Sequence, residues 1–212
     1  MSAVVQPERR RLLVAMLEEL VEKGYPGVEV EAAARRARLQ GTEWSAWFAD
    51  KDACLFEAFE QLSHELREAI LVGCAAGEDW PSRVTGGLRS LLAALAERAS
   101  LAEALAHGFP AIGPAAQARY QAFVESLAPL LSPGREASMA EGDLPAEVEL
   151  LAVGSCEALV FEEIRAGRTA KLPELVPAIL FSVLVPFIGA AEATAAMEAE
   201  RRRTSTLPAG TG

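Results

Sequence analysis

Few side chains in this chain are spaced for covalent chemistry. The two histidines, His64 and His107, lie near no serine or cysteine partnered by an acid, so no nucleophilic triad is readable. Glu162 and Glu163 are adjacent on a helical pattern and diverge, which suits a solvated face better than a paired acid and base. The three cysteines, Cys54, Cys74 and Cys156, are far apart and set in apolar surroundings. With no Cys-x-x-Cys or Cys/His ligand spacing, they read as buried free thiols in a reducing compartment. No glycine-rich phosphate loop is present. The expectation is a non-enzyme without metal or cofactor. The chemistry that does stand out is non-covalent. Arg35, Arg36, Thr42, Ser45, Trp47 and Lys51 are hydrogen-bond donors crowded into one short stretch. Lys51 opens a helix, where its ammonium and the first free amides can face one anion.

These groups sit on the stretch from Val28 to Phe59, which reads as two short helices, a tight turn and the start of a long helix. Ala33, Ala34 and Ala37 are small enough for a helix pressed against another helix. Leu39 is an apolar plug at the turn, and Gln40-Gly41 interrupts the pattern. Trp44 and Phe48 are four apart and share one face. Asp50 is a good N-cap, and Asp52 suits the positive end of the next helix dipole. That helix carries Leu55, Phe56, Phe59, Leu62, Leu66 and Ile70 on one stripe. Two short helices at a steep angle, the second presented outward, have the geometry that enters a DNA major groove.

In order and spacing, the first sixty or so residues resemble the DNA-binding domain of TetR-family transcriptional regulators. Gly24-Tyr25 matches the end of the family's first helix. Ala33-Ala34-Arg35-Arg36-Ala37 matches its small-residue helix, and the run from Trp47 to Leu55 matches the end of the recognition helix and the opening of the next. Four positions depart from the pattern. Arg38 stands where the family has Gly in the turn, and Gln40 where it has a capping Ser. Thr42-Glu43 stands where it has Gly-Thr, and Ser45 where it has a phosphate-contacting Tyr. Arg38 is therefore expected at positive φ, a costly conformation for a residue with a Cβ. The resemblance implies DNA contacts from Arg35, Arg36, Thr42, Glu43, Trp44, Ser45, Trp47 and Lys51, with the Trp47 indole N–H donating to a phosphate.

The remainder predicts an all-α chain of about nine helices, with no strand pattern and no internal repeat. The first helix runs over 7–23, closed by Gly24, with Leu12, Leu13, Met16 and Leu20 inward. Arg9, Arg10 and Arg11 at its start suit either phosphate contact or a solvated face. Further helices are expected over 81–98, 100–107 (capped by Ser100), 115–131, 144–166 and 172–203, with a polar loop over 132–143 and a disordered tail over 204–212. Three regions follow: a helix-turn-helix domain over 1–50, a helical ligand-binding and dimerisation domain over 51–203, and the tail. The last two helices carry more apolar residues than one face needs, among them Leu150, Leu151, Phe161, Phe181 and Val185. Gly154, Ser155 and Ala158 permit close approach. This predicts a homodimer through these helices, as the resemblance also implies. The uncharged run Leu175–Ala191 is short for a membrane span and contains Pro177 and Pro186, so a buried helix is expected, kinked at Pro186. No signal peptide is visible, and the expected location is cytoplasmic, away from membranes.

TetR-like proteins also bind small molecules within the C-terminal domain. The lining implied here is Trp80, Leu105, His107, Phe109, Tyr120, Phe123, Cys156, Val160 and Phe161, mostly apolar with a few polar handles. For each of these residues core packing is the alternative. The leading reading is a dimeric repressor of the TetR type, binding duplex DNA and modulated by a small apolar ligand. The alternative is a sensor or protein-binding module of the same fold that has lost DNA binding. The net charge of −10 keeps that alternative open, as does the local count: four bases against five acids between Glu29 and Asp52. An unscreened Glu43 on the reading face repels phosphates. Glu43→Thr is expected to raise affinity for all duplexes, most clearly at low salt. Loss of binding to one particular sequence would instead make Glu43 a base reader.

Overall fold

The computed structural model of the chain describes residues 7–39, 43–138 and 143–206. Among these there is no strand, and there are eight α-helices, close to the expected nine. The backbone gathers into two compact units. One holds residues 1–65 and 98–122, the other residues 66–97 and 123–212.

The first unit opens with α1 (Pro7–Gly27) and α2 (Val30–Arg36). Leu12, Leu13, Met16 and Leu20 of α1 are at most 2% exposed, and Ala33 and Ala34 of α2 are buried with them. Gly24 breaks the helical path at φ 67°, ψ 162°, a region essentially closed to other residues. The chain then turns so that the Tyr25 carbonyl accepts from the Val28 N–H. At the end of α2 the backbone closes in a Schellman motif. Leu39 N–H donates to Ala34 O at 2.9 Å and Arg38 N–H to Arg35 O at 3.1 Å. Arg38 takes the left-handed position at φ 57°, as expected of a residue standing where a glycine is usual. The strain costs on the order of 1 kcal/mol.

The expected recognition helix is shorter than its spacing suggested. It is a 3₁₀ turn over Glu43–Ala46, continued by one longer bond from Phe48 N–H to Trp44 O. Gln40, Gly41 and Thr42 lie outside the described residues. Phe48 is buried, and the Arg9 guanidinium lies 4.9 Å from its ring centre. α3 (Lys51–Ala75) starts where Asp50 was placed as cap: its carboxylate accepts from the Ala53 N–H at 2.8 Å. The unit is completed by α5 (Ala99–Glu103), a π-helical turn over Ala104–Gly108 and most of α6 (Pro114–Glu125). α5 begins at Ala99 without a side-chain cap, so Ser100 lies inside it. Phe109 stacks on Phe59 at 4.0 Å, and Phe56 meets the edge of the same ring at 5.8 Å.

The second unit contains the C-terminal part of α3, α4 (Trp80–Ala96), α7 (Val148–Arg165) and α8 (Val176–Thr206). A capping box opens α4: Asp79 accepts from Ser82 N–H, and Ser82 Oγ accepts from Asp79 N–H. The helix expected over 115–131 stops at Glu125 and gives way to a 3₁₀ segment, Ala128–Arg135. Pro129 is the reason, because it lacks the N–H the next turn needs and bars its predecessor from helix. The expected polar loop therefore begins as a 3₁₀ segment, and Gly134 is buried against Trp80. α7 begins at Val148 rather than Leu144. Arg135 accounts for this, donating to the carbonyls of Leu144, Pro145 and Ala146 and to Glu149. A 3₁₀ segment over Thr169–Leu175 precedes α8.

α8, with the segment before it, is long and apolar enough to cross a membrane by composition. One face of it is nevertheless spent on protein contacts: Ile179, Leu180, Val183, Leu184 and Phe187 are at most 1% exposed. The break in this helix is at Gly189 (φ 81°), three residues after Pro186. The proline removes the hydrogen bond and crowds the preceding turn, and the glycine absorbs the bend. The helix continues through Arg203 to Thr206, with Thr204 Oγ donating to Glu200 O, so the start of the expected tail is helical. Residues 207–212 lie outside the described part.

α3 and α4 cross at glycines. A Cβ at Gly86 would fall on the Gly73 carbonyl oxygen, and one at Gly87 would come within 2.7 Å of Cys74 Sγ. The first obstacle is backbone and cannot rotate away. Gly86→Ala is expected to destabilise the fold by about 1–3 kcal/mol through overpacking. This would read out as a melting temperature lower by roughly 2–12 °C in thermal denaturation.

Candidate functional site

Two places concentrate the expected site residues. The first is the end of the first unit built by α2, the 3₁₀ turn and the start of α3. Arg35 and Arg38 are exposed there. Arg36 is not available in the same way. Its guanidinium is forked onto Glu22 at 2.8 and 2.5 Å and also reaches Glu19 at 3.1 Å and Glu18 at 3.5 Å. The hydrogen bond to Arg36 holds the Glu22 carboxyl below its ordinary range. Lys51 donates to the Tyr25 carbonyl at 3.1 Å, and its ammonium lies 4.2 Å from the centre of the Tyr25 ring. The Tyr25 hydroxyl donates to Asp52 at 2.7 Å, and that bond pushes the phenol pKa up. Trp44 and Trp47 are half-buried, and Ser45 is exposed. Thr42 and the side chain of Glu43 lie outside the described residues.

The cations at the start of α1 are engaged too. Arg9 pairs with Glu57 at 2.5 Å, Arg10 with Glu65 at 2.9 Å, and Arg11 donates to Ala37 O at 3.1 Å. Among the described residues, Arg35, Arg38 and Lys51 are the cations of this end without an ion pair, and Lys51 is held by the Tyr25 carbonyl instead. A count limited to residues 29–52 misses this pairing, because three of the acids come from α1. The signal was present as Glu18, Glu19 and Glu22 at helical spacing, but nothing in the sequence says which face of α1 meets α2.

The second place is a cavity of about 280 Å³ inside the second unit. α4 gives it one stripe: Trp80, Arg83, Val84, Gly87, Leu88 and Leu91, at spacings of three and four. α3 adds Ile70, Leu71 and Cys74, and the segment after α6 adds Leu127, Leu130, Leu131 and Pro133. Val153 and Cys156 come from α7 and Val183 from α8. Leu88 and Leu91 stay half-exposed on a helix whose Leu92 and Leu95 are buried, because they face this space. The thiols are not nucleophiles: burial pushes Cys156 up to about 12 and raises Cys74 as well.

Of the expected lining residues, Trp80 and Cys156 face the cavity. Val160, Phe161 and Phe123 belong to the same unit but are not among the residues lining it. Leu105, His107, Phe109 and Tyr120 belong to the first unit. There Leu105 and Phe109 are core, Tyr120 tilts against Phe59 at 6.5 Å, and His107 is exposed. The lining that sequence reasoning missed was legible in part. Val84, Leu88 and Leu91 are an evident apolar stripe, but a stripe facing a void and a stripe facing a core have the same spacing.

The helices of the second unit thus surround a largely apolar cavity. No family model matches the chain, and no curated protein does. Solved structures do resemble it. The fatty acid degradation regulator FadR from Bacillus halodurans superposes with a TM-score of 0.72 at 17% identity, over 82% of this chain and 96% of that one. A TetR family transcription regulator from Marinobacter aquaeolei VT8 gives 0.64 at 18% identity, over 85% and 95%. The chain has a TetR-like regulator fold.

Proposed function

We propose that this protein is a dimeric transcriptional regulator of the TetR type, acting as a repressor in the cytoplasm, whose DNA binding is modulated by a small apolar ligand. The observation that carries the reading is the apolar cavity inside the second unit of a TetR-like fold. Apolar walls with few polar groups are what small-molecule sites are made of. In this reading residues 1–50 bind DNA and residues 51–203 bind ligand and dimerise. Arg35 and the Trp44–Trp47 turn face the duplex, and Lys51 reaches a phosphate by giving up the Tyr25 carbonyl.

The dimer surface is the free face of α7 and α8. Leu151 is 67% exposed and Leu159 is 39% exposed, the space above Gly154 is open, and Phe181 and Val185 are half-exposed on α8. An apolar stripe along two helices suits a second copy of itself. Phe181→Glu would bury an unpaired charge there. Light scattering is expected to read a dimer for the wild type and monomers or aggregates for the variant. An unchanged dimer mass would remove α8 from the interface.

The second reading is a sensor of the same fold that no longer binds DNA. The engagement of Arg36 by three glutamates and of Lys51 by Tyr25 favours it. Gel shifts on the duplex flanking the protein's own gene, at low and moderate salt, separate the two. The regulator reading expects a salt-sensitive shift, strengthened severalfold by Glu22→Gln, which removes the closest of the three carboxylates on Arg36 and one negative charge from this end. If neither wild type nor Glu22→Gln shifts any duplex at low salt, the sensor reading stands.

A further inference from the structure

The cavity in the second unit has two unlike ends, and α4 sets the polarity. Trp80 and Arg83 line it from the first turn of that helix, while Leu88 and Leu91 line it two to three turns on. From Arg83 to Leu91 the helix rises about 12 Å. Much of the remaining wall is aliphatic, with Leu127, Leu130 and Val183 in it.

At the near end one group has unused donor capacity. The Trp80 indole N–H has no acceptor but is sealed from solvent, so the ring and not the N–H forms the wall. Arg83 lines the same space but is exposed, so its charge stays solvated in the empty protein. Its Nε donates to Gly77 O at 3.2 Å, which fixes the stem and leaves four of the five guanidinium donors. The acid nearest in sequence, Asp79, is committed to the capping box with Ser82. Among the described residues no ion pair to Arg83 is formed. Among the described residues no carboxylate lines the cavity, so a cationic ligand has no partner among them.

Building on the regulator reading, we infer that the cavity takes an amphipathic organic carboxylate: an apolar body against Leu88, Leu91 and the Trp80 ring, and one carboxylate held at the mouth by Arg83. Arginine and carboxylate match as a two-pronged, charge-assisted pair. Placing the charge at an exposed rim avoids the desolvation that would make a deeply buried ion costly. The volume of about 280 Å³ is that of about ten non-hydrogen atoms, taking the share of a liquid water as the unit. Octanoate has about that size.

The test is calorimetry on the full chain at pH 7.5 with octanoate, 1-octanol and octyltrimethylammonium as probes, using wild type, Arg83→Gln and Leu91→Trp. Octanoate is expected to saturate one site per chain at least tenfold more tightly than 1-octanol, with no binding of the cation. Arg83→Gln changes an exposed residue and spares the fold. It should erase the preference for octanoate while leaving 1-octanol unchanged. Leu91→Trp fills the apolar end and should abolish both, with circular dichroism confirming that it is folded. Equal affinity for octanoate and 1-octanol, or a preference that survives Arg83→Gln, overturns the carboxylate assignment and leaves the regulator reading intact. Absence of octanoate binding to the wild type overturns it too. The regulator reading itself fails on the gel shift, which needs no ligand.

Discussion

The second unit depends on one backbone contact, the approach of Gly73 on α3 to Gly86 on α4. No side chain separates the helices at that point. Any Cβ would push them apart, and the crossing would lose its close packing. Gly87 extends the approach by seating the Cys74 sulfur. The same two helices diverge from the crossing and supply more than half of the cavity wall, from Ile70 and Leu71 on one side and the Trp80–Leu91 stripe on the other. The void is thus a consequence of where the helices touch. Trp80 closes it by packing against Phe187 at 5.0 Å and covering Gly134.

Charge is handled differently in the two units. In the second, ionic contacts lock helices together. Glu200, 3% exposed, is held by Arg89 and Arg203. Burial alone would raise its pKa, but the two arginines outweigh burial and hold it below the ordinary value. Its contribution is therefore present above the unfolded-state pKa and is lost as pH falls through the lowered one. In the first unit the paired cations are those a DNA-binding head would spend on phosphates. In the proposed regulator, Arg36 and Lys51 would each have to give up an internal partner to meet a phosphate, an exchange that lowers affinity for every sequence alike.

Periodicity and punctuation made the helices legible. Leu12, Leu13, Met16 and Leu20 lie inside, Gly24 and Gly167 take the positive φ of helix ends, and Asp50 caps α3. These are local effects, decided within a few residues, and the family resemblance rested on them. Boundaries failed where a distant partner intervened. Arg135 took the carbonyls of Leu144, Pro145 and Ala146, and α7 began later than its apolar pattern.

By itself the sequence determined that the chain is all helix, where most helices stop, and that Arg38 must bear a strained conformation. The cavity and the charge pairing were decided by tertiary structure alone. Leu91 faces a void and Leu92 the core; helix geometry points them about 100° apart, and which direction meets a void depends on how the neighbouring helices pack. Arg36 meeting Glu22 depends on which face of α1 packs against α2. Helical spacing fixes which residues share a face, but what that face meets depends on packing between residues far apart in the chain.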